Sequence, residues 1–132
     1  MTKTKKMSIY VIIALLVALI GAGYYALMPK KPKTATDLTG DQVAAMLSDT
    51  NVVMLDVRTP MELRAGKIGN AVHIDYMAGG FEEQIANLDP SKTYVVYCHS
   101  AGRSPKAFDI MKKKGFENVL HYPGGWAEWS RR

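Results

Sequence analysis

Cys98 ends the most strongly strand-forming run of the chain, Thr93–Tyr97 (TYVVY), and Ser104-Pro105, a helix-starting pair, follows six residues later. Strand, cysteine, a short loop of small residues and a helix start make an arrangement that could do chemistry. In open α/β sheets, ligands bind beyond the carboxyl ends of the strands, where Cys98 stands. Amides from His99, Ser100, Ala101, Gly102, Arg103 and Ser104 can curl around its sulfur, the helix adds its positive end, and Arg103 adds a full charge. All three favour thiolate over thiol. The same cradle attracts an anion, so these six residues are expected to bind the substrate while Cys98 attacks it. A donor such as thiosulfate would leave its outer sulfur on Cys98 as a persulfide, which a thiol or cyanide-like acceptor, small or on another protein, would then remove.

Blander roles compete with this reading. A lone cysteine is commonly a small buried hydrophobe, and the loop, arginine and helix start argue otherwise here. Arg103 could be a solvated helix-start residue, although a cation is unfavourable there unless an anion is expected. Asp56 and Arg58, at the end of VVMLDV, read as a strand-end ion pair whose task is holding the catalytic loop. His99 could line the entrance or be solvated. His73 and His121 fall on expected strands and read as structural, and Trp126 and Trp129 as packing. With one cysteine and no ligand-spaced histidines, neither a disulfide nor a metal site is expected, and no cofactor is needed.

The elements that must position Cys98 follow from pattern. Thr39 and Gln42 have capping-box spacing before Val43, Ala44, Met46 and Leu47, a short amphipathic helix. Val52–Val57 reads as a strand buried on both faces, as in a parallel sheet. Residues 59–71 suit a loop with one helical turn around Glu62–Ala65. Ala71–Ile74 is a short strand, and Phe81–Leu88 a helix stopped by Asp89-Pro90. Ser104 is expected to cap the next helix, with Pro105 at its first position and Gly115 at its end. Val119–His121 is a strand and Gly124–Arg131 a terminal helical turn. Strands and helices alternate, so the class is α/β with a mainly parallel central sheet flanked by helices.

Before this domain (36–132) the chain has a different character. Met7–Met28 holds no charged residue over 22 positions, enough to cross a hydrocarbon core of roughly 30 Å. The expected organisation is a basic tail (1–8), a transmembrane helix (9–28) and a linker (29–35); a cleaved signal peptide is the alternative. Six lysines and no acid lie in residues 1–33, whereas the other eleven basic residues share residues 34–132 with all twelve acids. The basic charge thus belongs to the appendage, and the nearly neutral domain offers no electrostatic case for nucleic acid. A basic tail is costly to translocate, so the expectation is a single-pass protein of the cell membrane with its domain extracytoplasmic.

YCHSAGRS (97–104) resembles the active-site segment of rhodanese domains, Tyr-Cys-x-Ser-Gly-x-Arg-Ser. LDVRTPMEL (55–63), GKIGNAVHI (66–74) and YPGGWAEW (122–129) match further segments in the same order. The resemblance spans the domain and implies a rhodanese-like fold with persulfide chemistry at Cys98. Ala101 departs from the glycine common in that loop, and Gly102 is expected to absorb any strain. Lys67 replaces a frequent histidine, and Gly69-Asn70 a frequent Pro-Gly. Related phosphatases place five residues between cysteine and arginine to hold a tetrahedral oxyanion; here four intervene, which favours sulfur. A persulfide carrier or non-catalytic interaction module tethered to a membrane, and a redox-sensing thiol, remain the competing readings.

Overall fold

A parallel four-stranded sheet in the order β2-β1-β3-β4 organises the domain: β1 Val52–Asp56, β2 Val72–His73, β3 Thr93–Tyr97 and β4 Val119–His121. The computed structural model describes residues 2–27 and 36–132, with side chains for 9–24 and 36–132. β1 and β3 are central, and consecutive connections leave β1 in opposite directions. That reversal opens a crevice beyond the carboxyl ends of β1 and β3, the place where such sheets bind ligands.

Side-chain alternation along the strands builds two apolar layers. Leu55, Val57, Tyr94, Val96 and Cys98 face one way, onto α4 (Phe81–Ile85) and α5 (Ser104–Lys113) through Phe81, Ile85, Ala107 and Met111. Met54, Val95 and Tyr97 face the other way and pack with Val43 of α2 (Gly40–Met46), Ile68 and Tyr122, with Trp126 and Trp129 of α6 (Gly125–Trp129) at the margin. Cys98 and Tyr97, the residue before it, therefore belong to opposite faces of the sheet.

The capping box at Thr39 forms as expected, Thr39 Oγ1 accepting from the Gln42 amide at 3.3 Å and Gln42 Oε1 accepting from the Thr39 amide at 2.8 Å. A second one was not anticipated. Thr59 and Glu62 cap α3 (Pro60–Leu63), so the helical turn expected around Glu62–Ala65 starts earlier, at the proline after the cap. The helix expected to reach Leu88 ends at Ile85.

The first unit of the chain contains α1, Thr2–Leu27. The helix begins inside the expected basic tail, so its first turns carry Lys3, Lys5 and Lys6, and from Met7 to Leu27 it holds no charged residue. Among the described residues, no helix is long and apolar enough to cross a membrane. The expected span 9–28 is to that extent not shown. Met28 and the linker 29–35 lie outside the described residues.

Candidate active site

β3 delivers Cys98 to the bottom of a loop formed by residues 98–103, and the sulfur is buried, with 1% of the residue exposed. Its Sγ lies 3.3 Å from Ser104 Oγ. Burial pushes the thiol pKa up; the Ser104 hydroxyl and the amides of Arg103, Ser104 and Ser100 together outweigh it, and the net direction is down. The acidifying groups are short dipoles aimed at the sulfur. Ser100, Arg103, Ser104 and Cys98 are thus gathered at one point. His99 is exposed at the loop surface.

Ala101 is the one non-glycine residue with positive φ among the described residues, at 64°. The strain expected to pass to Gly102 is carried by Ala101 itself, a conformation that disfavours a Cβ. The loop holds it there from outside. Cys98 O accepts from the Trp126 amide and His99 O from the Ala127 amide, both at 2.9 Å. Gly125 is what permits this approach: its φ is 57°, and a Cβ there would sit 2.5 Å from both carbonyl oxygens.

Ser104 does not cap α5. Arg103 occupies the cap position without a side-chain cap bond, and Ser104 spends its hydroxyl on Cys98 and on His121, whose Nε2 is 2.8 Å from Oγ. A hydroxyl turned inward to a thiol and an imidazole cannot also reach back to a helix amide.

Arg103 also departs from expectation. Its guanidinium turns to Glu62 and makes a two-pronged pair, Nη1–Oε2 and Nη2–Oε1, each 2.7 Å. The positive charge assigned to the cradle is therefore largely neutralised. What the loop offers an anion is its amides and the start of α5. The hydrogen bonds from Arg103 hold the Glu62 carboxyl down at about 2, against an ordinary 4.5.

That displacement has a sign. A lowered folded-state pKa means the pair stabilises fully above about pH 4.5 and loses its contribution as pH falls toward 2. Glu62→Gln is expected to cost about 1 kcal/mol at neutral pH, discounted for partial exposure, and to flatten the acid limb of the stability curve. Urea unfolding between pH 2 and 6 checks this; parallel acid limbs in the two proteins would contradict it.

Asp56 and Arg58 lie on the opposite face of the sheet from Cys98, and neither touches its sulfur. Both are completely buried. Arg58 Nε and Nη2 donate to the Asp56 carboxylate at 2.9 and 2.7 Å, and Nη1 and Nη2 also donate to the carbonyls of Glu62 and Gly66 at 3.2 and 2.6 Å. Tyr97, its phenol kept protonated by burial and by Asp56, donates to Asp56 Oδ2 at 2.6 Å and accepts from the Ile68 amide at 3.0 Å. The guanidinium carbon lies 4.8 Å from the Trp126 ring centroid. The pair expected to hold the catalytic loop thus holds the segment around α3, which presents Glu62 to Arg103, and supports Trp126, whose amide holds Cys98.

Glu62, Tyr97, Trp126, Gly125 and His121 complete the site without having been read as functional from sequence. Thr59-x-x-Glu62 was a legible capping box, but nothing local connects Glu62 with Arg103. Among the described residues, no three His, Cys, Asp or Glu side chains gather as a metal site requires.

Residues 39–132 match the model of the Rhodanese-like domain family. The mouse protein "Thiosulfate sulfurtransferase/rhodanese-like domain-containing protein 3" is 32% identical over 108 residues, covering 73% of this chain and 69% of that protein. A tRNA uridine(34) hydroxylase of Erwinia tasmaniensis is 36% identical over 101 residues, covering 72% of this chain but only 28% of the hydroxylase. A single-domain sulfurtransferase of Saccharomyces cerevisiae superposes with a TM-score of 0.65 at 23% identity, over 77% of this chain and 94% of that one, a likeness of fold. The match over 39–132 covers the sheet, the cysteine loop and both supporting faces, and the chain belongs to the rhodanese-like domain family.

Proposed function

We propose that this chain is a sulfurtransferase that moves sulfane sulfur through a Cys98 persulfide. The Cys98 thiolate attacks the outer sulfur of an anionic donor such as thiosulfate; a new S–S bond forms, the donor's S–S bond breaks, and sulfite departs with its electron pair. A thiol or cyanide-like acceptor then attacks the terminal sulfur and Cys98 leaves as thiolate, a double displacement without net redox change. The observation that carries this reading is the setting of Sγ, 3.3 Å from Ser104 Oγ, with the Ser104 hydroxyl and the amides of Ser100, Arg103 and Ser104 bringing the thiol pKa below its ordinary value despite burial. They stabilise a thiolate, and they remain in place to stabilise it again as the leaving group. With Arg103 held by Glu62, the donor's charge meets amides rather than a free guanidinium.

Intact mass measurement after thiosulfate treatment is expected to show a gain of one sulfur on the wild type and none on Cys98→Ser, with cyanide reversing it. A gain of oxygen instead would favour the redox-sensing thiol.

We also propose that residues 9–28 anchor the domain in a membrane, facing outward. The support is the uncharged run Met7–Met28, of which α1 takes in the part up to Leu27. A membrane-impermeant thiol reagent, applied to intact cells with the persulfide discharged, is expected to label Cys98. Labelling only after lysis would reverse the orientation, and recovery of the protein in the soluble fraction would remove the anchor.

A further inference from the structure

Cys98 does not stop at Ser104. From Sγ a line of polar atoms runs to Ser104 Oγ at 3.3 Å, on to His121 Nε2 at 2.8 Å, and from His121 Nδ1 to Asp37 Oδ1 at 2.9 Å. The four residues come from four places in the chain: the end of β3, the first residue of α5, the last residue of β4, and the segment before α2. The inner members are shut from water, Ser104 being fully buried and His121 7% exposed. Asp37 is fixed on the backbone too, because the chain around it pairs with β4: His121 N donates to Thr36 O and Leu38 N to His121 O, both at 2.8 Å.

We propose that His121 and Asp37 are positioning residues for Cys98, acting through the Ser104 hydroxyl. This rests on Cys98 being the nucleophile of the sulfur transfer proposed above. The physical reason is that Ser104 has one hydroxyl hydrogen and two neighbours that could take it. Ionised Asp37 draws the hydrogen of the neutral imidazole to Nδ1, which leaves Nε2 as an acceptor. In the thiol state Sγ–H donates to Oγ and Oγ–H donates to Nε2. In the thiolate state the thiol proton has moved to Oγ as the hydroxyl proton moved to Nε2. The net change is one proton from Sγ to His121, giving a thiolate and an imidazolium paired with Asp37. Protonated Nε2 now donates to Oγ, so the serine hydrogen is directed at the sulfur. The same setting receives Cys98 when an acceptor removes the persulfide sulfur.

The surroundings suit such a device. Asp37, from the segment before α2, faces His121 at Nδ1, and Cys98 reaches it by way of Ser104. α5 also turns the apolar Phe108 toward the ring, at 6.4 Å between centroids.

The chain has one cysteine, so the pH dependence of iodoacetamide alkylation reads Cys98 alone. His121→Gln keeps a hydrogen-bonding group toward Ser104 but cannot hold the proton. It is expected to move the alkylation profile up by about one pH unit, making the reaction about tenfold slower on the acid side of the profile. Asp37→Asn, at the outer end of the line, is expected to move it in the same direction. In a Ser104→Ala background, which is itself shifted, His121→Gln should add less than about twofold, because the path is already cut. Wild-type profiles for both His121→Gln and Asp37→Asn would overturn the proposal, as would an equal His121→Gln effect with and without Ser104. Should His121→Gln fail to fold, Asp37→Asn with and without Ser104 decides by the same criteria. Alkylation needs no sulfur donor, so the two readings fail separately. Shifted profiles without persulfide formation would sink the sulfurtransferase and spare the relay; normal persulfide formation with unshifted profiles would do the reverse.

Discussion

Replacing Cys98 by serine is expected to lower thiosulfate-to-cyanide transfer by at least about a thousandfold, to the level of the uncatalysed reaction. A hydroxyl at position 98 would keep the Ser104 bond and the three amides, so the cradle would still stand. What disappears is the atom: a serine oxygen is neither ionised near neutral pH nor able to carry sulfane sulfur as a persulfide. The same substitution should leave thermal stability within about 1 kcal/mol of the wild type, since the two side chains are nearly equal in size. A sulfite-release and thiocyanate assay, paired with thermal unfolding, checks both halves. Retention of more than a few per cent of the activity by a folded Cys98→Ser protein would move the reaction away from this loop.

The largest loss of stability is expected on the other face of the sheet. Arg58→Met leaves the Asp56 carboxylate buried without its cation, and takes donors from the carbonyls of Glu62 and Gly66. Breaking a buried pair from one side costs about 3–5 kcal/mol, a large part of the roughly 5–15 kcal/mol that a domain of this size has. A fall in Tm of at least about 12 °C follows, measurable by calorimetry or circular dichroism. Asp56→Asn should be milder, because the amide oxygen still accepts from Arg58 and only the charge is lost. A Tm within about 4 °C of the wild type for Arg58→Met would mean that water replaces the guanidinium in the site. Cys98 alkylation should accelerate in the same variant below its Tm, because Arg58 supports both α3 and Trp126 and each holds the loop from its own side.

These outcomes separate what was legible in the sequence from what was not. β3 and β4 were legible to the residue; in β3 a β-branched and aromatic run bounded by turn residues has no competing local structure. The cysteine loop was legible for the same reason, lying between that strand and Ser104-Pro105. What Ser104 does there was not. Its helix-capping propensity is local, whereas the partners that redirected its hydroxyl arrive through strand order. Arg103 and Glu62 stand 41 positions apart, and His121 and Asp37 84 apart. A parallel sheet brings such residues together only through its crossovers, which side-chain patterning along one element does not encode. Asp56 and Arg58 illustrate the middle case: their pairing is visible from adjacency, but their place on the face away from Cys98 depends on the phase of β1 against β3.

The bonds from α6 to the cysteine loop also order events in time. Cys98 O and His99 O find their donors in Trp126 and Ala127, and β4 must be in the sheet before His121 can meet Ser104. A nascent chain that has emerged only as far as Ser104 therefore carries its cysteine on an unlatched loop, with an ordinary thiol and no defined pocket. Reactivity is acquired late in synthesis, when the segment carrying Gly125 closes over the carbonyls. Until then the growing chain exposes its single cysteine without the acidity that would make it a target for every electrophile it meets.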